Sequence, residues 1–165
     1  MAALNRGIEA PPVDLVCTDG SAFHLDSARR KGPVLLAFFK VSCPVCQMAA
    51  PWLARMQREV GGPQALLIGV SQDEAAPTQA FMQRFEINFA VALDPAPRYI
   101  ASNAYQLTHV PSLFWIASNG VIEQSVVGFD RVEYETLAER LATANRVEPR
   151  SLFGEAPGIP AFKAG

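Results

Sequence analysis

The run Val34-Leu35-Leu36-Ala37-Phe38-Phe39 constrains the fold more than any other feature of the chain. It holds no polar residue, follows Gly32-Pro33 and is too short for a typical helix. It therefore predicts a strand buried on both faces, in the interior of a sheet. Lys40, Val41 and Ser42 come next, then Cys43-Pro44-Val45-Cys46, then a helical pattern with Met48, Trp52, Leu53, Met56 and Val60 on one face. Gly61-Gly62-Pro63 stops that helix. A cysteine pair is thus set at the junction between a buried strand and the first turn of a helix.

The rest of the chain supplies what such a strand needs around it. Val13 to Cys17 and Ala22 to Leu25 read as a hairpin about Asp19-Gly20, and Arg29 to Pro33 as a polar link. Ala65 to Val70 reads as a second buried strand, followed by a helix over about Pro77 to Phe85 and a short strand from Phe89 to Leu93. Asp94-Pro95 reads as an N-cap with proline in the first helical position, opening a helix to about Ala104. Ser112 to Ala117 and Val121 to Val127 are strands joined at Ser118-Asn119-Gly120. Asp130 and Glu133 resemble a capping box for a last helix to about Asn145, with Leu137 and Leu141 inward. Residues 1–12 read as an irregular lead-in. The expected organisation is one domain over residues 1–146 and an extended tail over 147–165, whose Leu152, Phe153 and Phe162 can dock on the body. Early βα alternation, then an antiparallel hairpin and a helix, predicts an α/β fold with a central mixed β-sheet flanked by helices.

Bulk properties narrow the function. A length of 165 residues suits one domain with a full core. A net charge of −2, with no basic run, gives no argument for nucleic acid or a membrane surface as partner. The run Val34 to Phe39 is far too short to span a bilayer. No apolar stretch behind a basic start marks a secretory signal, so the expected compartment is cytoplasmic. Cys17, Cys43 and Cys46 are too few, and odd in number, for a disulfide scaffold. In a reducing compartment a close pair is catalytic or metal-binding more often than structural.

The thiolate is the form that attacks a disulfide, and a helix start offers it unpaired N–H groups and the positive end of a dipole. Two intervening residues place Cys46 one turn on and on the same face as Cys43, within reach to resolve a mixed disulfide. Pro44 suits the first turn, where its missing N–H costs little. A CxxC pair also occurs as half of a zinc site, or as two incidental buried cysteines. No second pair accompanies it, and Cys17 and His109 lie in unrelated segments. Cys17 reads as a small buried strand residue.

The stretch from Phe38 to Leu53, with its Cys43-Pro44-Val45-Cys46 motif, resembles the active-site segment of thioredoxin-like proteins. Pro51 inside the following helix stands at the offset of their kinking proline. His109-Val110-Pro111-Ser112-Leu113-Phe114 resembles their cis-proline loop. The resemblance runs from about Gly7 to Arg146, with a surplus of about one helix and one strand before Pro111. That surplus, and Ala10-Pro11-Pro12-Val13-Asp14-Leu15 followed by Asp19-Gly20, is similar to the redoxin branch, meaning TlpA/ResA-type reductases and AhpC/TSA-like proteins. The resemblance implies a thioredoxin-like fold with an N-terminal β-hairpin and an extra helix-strand insertion. It implies a thiol-disulfide oxidoreductase that reduces or exchanges disulfides, with Cys43 and Cys46 catalytic. Pro44, Val45, Val110 and Pro111 are the implied substrate contacts, with the backbone of Val110 pairing an extended substrate. No metal is implied, and no cofactor besides the redox-active Cys43–Cys46 disulfide. The implied partners are a disulfide-containing protein or low-molecular-weight thiol, and an external electron donor; oligomeric state is unassigned.

The chain departs from that pattern at the positions that handle protons. Ala37 stands where thioredoxins bury an Asp, and Ala49 where ResA-type reductases place a Glu. The proton acceptor for Cys46 is thus unassigned, and Lys40, Gln72, Asp73 and His109 are the candidates for its surroundings. Lys40 either favours a Cys43 thiolate electrostatically or is a solvated strand-end lysine. Gln72 ends the second strand, where ligand-binding loops gather. Ser42 replaces the usual aromatic residue and reads as the helix N-cap. A peroxiredoxin-like peroxidase with Cys43 attacking peroxide is the alternative, but Lys40 and Leu36 stand where that resemblance leads one to expect Thr or Ser and Pro. A non-catalytic redox-sensing or binding module on the same fold is the third reading.

Overall fold

A computed structural model describes residues 3–165 of the chain; residues 1 and 2 of the lead-in lie outside the described residues. The elements in order are β1 (Asp14–Val16), β2 (Ala22–His24), α1 (Leu25–Lys31), β3 (Val34–Phe39), α2 (Pro44–Val60), β4 (Leu66–Ser71) and α3 (Ala75–Arg84). Then follow β5 (Val91–Leu93), α4 (Ile100–Ala104), β6 (Ser112–Ile116), β7 (Ile122–Val127), β8 (Phe129–Asp130), α5 (Arg131–Asn145) and β9 (Phe162–Lys163).

Five strands form the central sheet in the order β5-β4-β3-β6-β7. β3 runs parallel to β4, and β4 to β5, while β6 is antiparallel to both β3 and β7. β3 is thus the middle strand, and all six of its residues are buried. Strand alternation divides them between two cores. Leu35, Ala37 and Phe39 pack with α2, α5 and the segment around Phe153. Val34, Leu36 and Phe38 pack on the other face with Phe23, Leu25, Ala101 and Tyr105. This is the thioredoxin-like arrangement of a mixed sheet covered on both faces.

The structure departs from several of the sequence-based expectations. Leu25 to Lys31 is a helix, although Leu25 was expected to end a strand and Arg29 to Pro33 to be a polar link. Leu25 is the sole buried residue of α1, so the helix has no apolar stripe to reveal it; the cue is Asp26 in the first turn against Arg29, Arg30 and Lys31 in the last. Asp94 does not begin a helix at Pro95. It is 1% exposed, and its carboxylate reaches forward to accept the N–H groups of Ala101 at 3.0 Å and Ser102 at 2.7 Å. Asp94 therefore does cap a helix, α4, but across an intervening turn. Ser42 is not the cap of α2; Cys43 holds that position. The capping box at Asp130 is half formed. The Asp130 carboxylate accepts from Glu133 N at 3.0 Å, while the Glu133 side chain takes a hydrogen bond from Gln124.

Residues 147–163 lie on the body. Leu152 and Phe153 are each 1% exposed, and the Phe153 ring lies 4.7 Å from Trp52 and 5.6 Å from Phe129. Glu135 fixes this turn by accepting the N–H groups of Leu152 at 2.7 Å and Phe153 at 3.1 Å. Phe162 does not bury; it is 56% exposed and joins the body through β9, which pairs antiparallel with β8.

Candidate active site

The chain passes from β3 to α2 over residues 40–43, and polar side chains hold this turn at both of Val41's backbone groups. Val41 N–H donates to Asp73 Oδ2 at 2.8 Å, and Val41 C=O accepts from Gln47 Nε2 at 2.9 Å. Cys43 N–H donates to the Lys40 carbonyl at 3.1 Å. Cys43 is then the N-cap of α2, with its Sγ accepting the Cys46 N–H at 3.2 Å. A sulfur here does the work of a serine or aspartate cap, satisfying one of the unpaired donors of the first turn. Pro44 follows at the first helical position and is exposed.

The two cysteines differ in environment. Both are free thiols; Cys43 is half-buried and Cys46 is 2% exposed. Burial pushes the Cys46 thiol well up from its ordinary value of 9.0. A hydrogen bond with Cys43 and the negative charges of Cys43 and Asp73 act in the same direction, while the Lys40 backbone N–H acts against them. Behind Cys46 lies a small apolar cavity of about 10 Å³, lined by Ala37, Phe39, Ala49, Leu53, Phe81 and Pro111 among others. Ala37 and Ala49, the two positions at which a carboxylate was expected from the resemblance, both line this cavity with Cys46. Tyr134 is fully buried beneath the site, its hydroxyl donating to Gly128 C=O at 3.4 Å; burial pushes its phenol up, and the charges of Cys46 and Cys43 add to the effect.

The second half of the site comes from the loop before β6. The Val110–Pro111 peptide is cis, and the Val110 carbonyl accepts the Cys43 thiol at 3.4 Å. Gly128 N–H donates to Pro111 C=O at 2.7 Å, which ties this loop to the start of β8.

The structure thus brings Cys43, Cys46, Val110, Pro111 and the Lys40 backbone together. Val45 is 9% exposed and turned into the core, so its side chain offers little surface to a substrate. Gln72 turns its amide to Ser102 Oγ at 3.0 Å. His109 is exposed, with Nδ1 3.1 Å from Thr108 Oγ1. Ser42 is exposed. Gln47 and Tyr134 went unmarked in the sequence. Gln47 carries the visible signal of a polar residue one position after the second cysteine, whereas nothing local marks Tyr134. Among the described residues, no group of three His, Cys, Asp or Glu side chains is placed to hold a metal ion.

Fold and site together define a thioredoxin-like protein of the redoxin branch. The sequence profile of the AhpC/TSA family matches residues 7–125, and the chain belongs to that family. It is 29% identical over 130 residues to the thiol-disulfide oxidoreductase ResA of Geobacillus kaustophilus, covering 76% of this chain and 71% of that protein. Its fold superposes with a TM-score of 0.74 and 26% identity on a proposed thiol:disulfide interchange protein DsbE of Chlorobium tepidum, covering 87% of this chain and 99% of that one. It also superposes, with a TM-score of 0.71, on the thioredoxin domain of a Bacteroides vulgatus thiol-disulfide oxidoreductase, covering 84% of this chain and 99% of that domain. At 18% identity this last match bears on the fold alone.

Proposed function

We propose that the protein is a thiol-disulfide oxidoreductase that reduces or exchanges disulfides through Cys43 and Cys46. The observation that carries this reading is the position of Cys43 Sγ. It caps a helix, receives the Cys46 N–H at 3.2 Å, and meets the carbonyl of the residue before a cis-proline at 3.4 Å. The names of the ResA and DsbE relatives point the same way.

In the first step the Cys43 thiolate attacks a substrate disulfide. A bond forms between Cys43 Sγ and one substrate sulfur, the substrate S–S bond breaks, and the other sulfur leaves and takes a proton. In the second step Cys46 loses its proton and attacks Cys43 Sγ. The mixed disulfide breaks, the second substrate sulfur leaves and is protonated, and the Cys43–Cys46 disulfide remains. Two electrons pass from the dithiol to the substrate, and an external thiol donor restores the pair. The Val110 backbone holds the substrate strand beside the sulfur.

Trapping tests the assignment. Cys46→Ser should accumulate mixed disulfides through Cys43, read by non-reducing mass spectrometry, and Cys43→Ser should not. Full disulfide-reductase activity in both variants would exclude it.

A further inference from the structure

Segment 161–165 lies along β8 and ends against the Val110 backbone, which the proposed mechanism assigns to substrate. Arg131 N–H donates to Ala161 C=O at 2.9 Å. Phe162 then lies opposite Asp130, and Lys163 opposite Phe129, in an antiparallel ladder. The chain next crosses Gly128 so closely that a Cβ there would stand 2.6 Å from the Lys163 carbonyl oxygen and 3.3 Å from Gly165 N. At Gly165 it meets Val110 itself, and a Cβ on Gly165 would collide with the Val110 carbonyl. That same carbonyl accepts the Cys43 thiol. Since Gly128 is hydrogen-bonded to Pro111, Val110 and residues 128–131 form one continuous edge, and the chain's own backbone covers it.

Two features suit this cover to release. Its side chains are exposed, from Ala161 to Gly165, so backbone pairing rather than side-chain burial holds it. Leu152 and Phe153 anchor the preceding turn in the core, which keeps the segment close when it is detached. The family profile stops at residue 125, so both strands of this ladder lie outside the matched part.

We propose that residues 128–131 with Val110 are a strand-pairing site for an extended stretch of a disulfide-bearing polypeptide, and that segment 161–165 is its intramolecular competitor. The segment must leave before a polypeptide substrate pairs there. The role of this site as a substrate site rests on the oxidoreductase reading; the coverage by segment 161–165 does not.

Two variants test the inference: a chain ending at Pro160, and Lys163→Pro, which keeps the full length but removes an N–H from the β8–β9 ladder. Both retain Leu152 and Phe153. Cys43 alkylation by iodoacetamide in the reduced protein, and hydrogen exchange at the amides of Phe129 and Arg131, report coverage without any turnover. Both should rise by at least about threefold when the competent fraction grows from a minority to nearly all. Insulin reduction should rise by more than the alkylation rate does, while reduction of oxidised glutathione, which needs no strand pairing, should rise no more than alkylation. If alkylation and exchange rise but neither substrate is reduced by any variant, the cover is real and the oxidoreductase reading fails. If insulin and glutathione are reduced but alkylation, exchange and the insulin-to-glutathione ratio match the unaltered chain in both variants, the competitor role is wrong and the oxidoreductase reading stands.

Discussion

Resolution of the mixed disulfide should be steeply pH-dependent, because Cys46 is buried against apolar side chains. Ala37 and Ala49 line the apolar cavity at its sulfur, and Cys46 is 2% exposed. Burial is the largest cause raising its thiol above 9.0. In the mixed disulfide Cys43 carries no charge, so its own contribution disappears, but burial persists. Far below its pKa the thiolate fraction of Cys46 rises tenfold per pH unit, and so should the rate of its attack. A thiol at the ordinary 9.0 would bend near that pH and level off by about pH 10. The perturbation is therefore pH itself, from 6 to 10. A chromogenic aromatic disulfide mixed with the reduced protein releases one coloured thiol when Cys43 attacks and a second when Cys46 resolves. The second phase should climb about tenfold per pH unit to pH 9 and beyond, without a plateau. Cys46→Ser should abolish that phase alone. A plateau at or below pH 10 would overturn this, since it would mean that burial does not raise the Cys46 thiol or that a nearby base such as Asp73 takes its proton.

Other consequences are thermodynamic. Burial raises Cys46 above 9.0 and Tyr105 and Tyr134 above 10.0 in the folded state. The unfolded chain ionises first, so the stability these groups confer is intact below their ordinary values and falls above them, by about 1.4 kcal/mol per pH unit for each group. Urea unfolding between pH 8 and 11 should show the decline, steeper from about pH 9 in the reduced protein than in the oxidised one, where Cys46 cannot titrate and the buried Cys17 still does. Phe153→Ala removes a ring that is 1% exposed against Trp52 and Phe129. It should cost about 3–5 kcal/mol of unfolding free energy and red-shift tryptophan emission as Trp52 meets water. Asp94→Ala strands the buried N–H groups of Ala101 and Ser102, and should cost about 2–4 kcal/mol in the same assay.

The sheet was legible because its middle strand is uniformly apolar, and a six-residue apolar run between turn signals has few other solutions. The site was legible where chemistry and local geometry coincide. Cys43-Pro44-Val45-Cys46 reads as a helix start, and Val110-Pro111 precedes a strand. What was missed depends on distance in sequence. Asp94 caps a helix that begins at Ile100, so the cap and its donors are separated by a turn that local pattern matching fuses into one helix. Asp73 was named near the cysteines, but its pairing with Gln47 on opposite sides of Val41 joins different elements and has no local signal. The path of residues 161–165 over Val110 is fixed by backbone pairing, which leaves no side-chain pattern to read.

The central claim is that Cys43 and Cys46 form one reversible two-electron couple. Equilibration in glutathione redox buffers, followed by acid quench, alkylation and peptide mapping, tests it most directly. A single transition is expected in which both thiols disappear together into a Cys43–Cys46 disulfide, with a midpoint between about −270 and −120 mV. Independent oxidation of the two thiols, or a Cys43 that reaches only glutathionylated or oxyacid forms while Cys46 stays reduced, would contradict it.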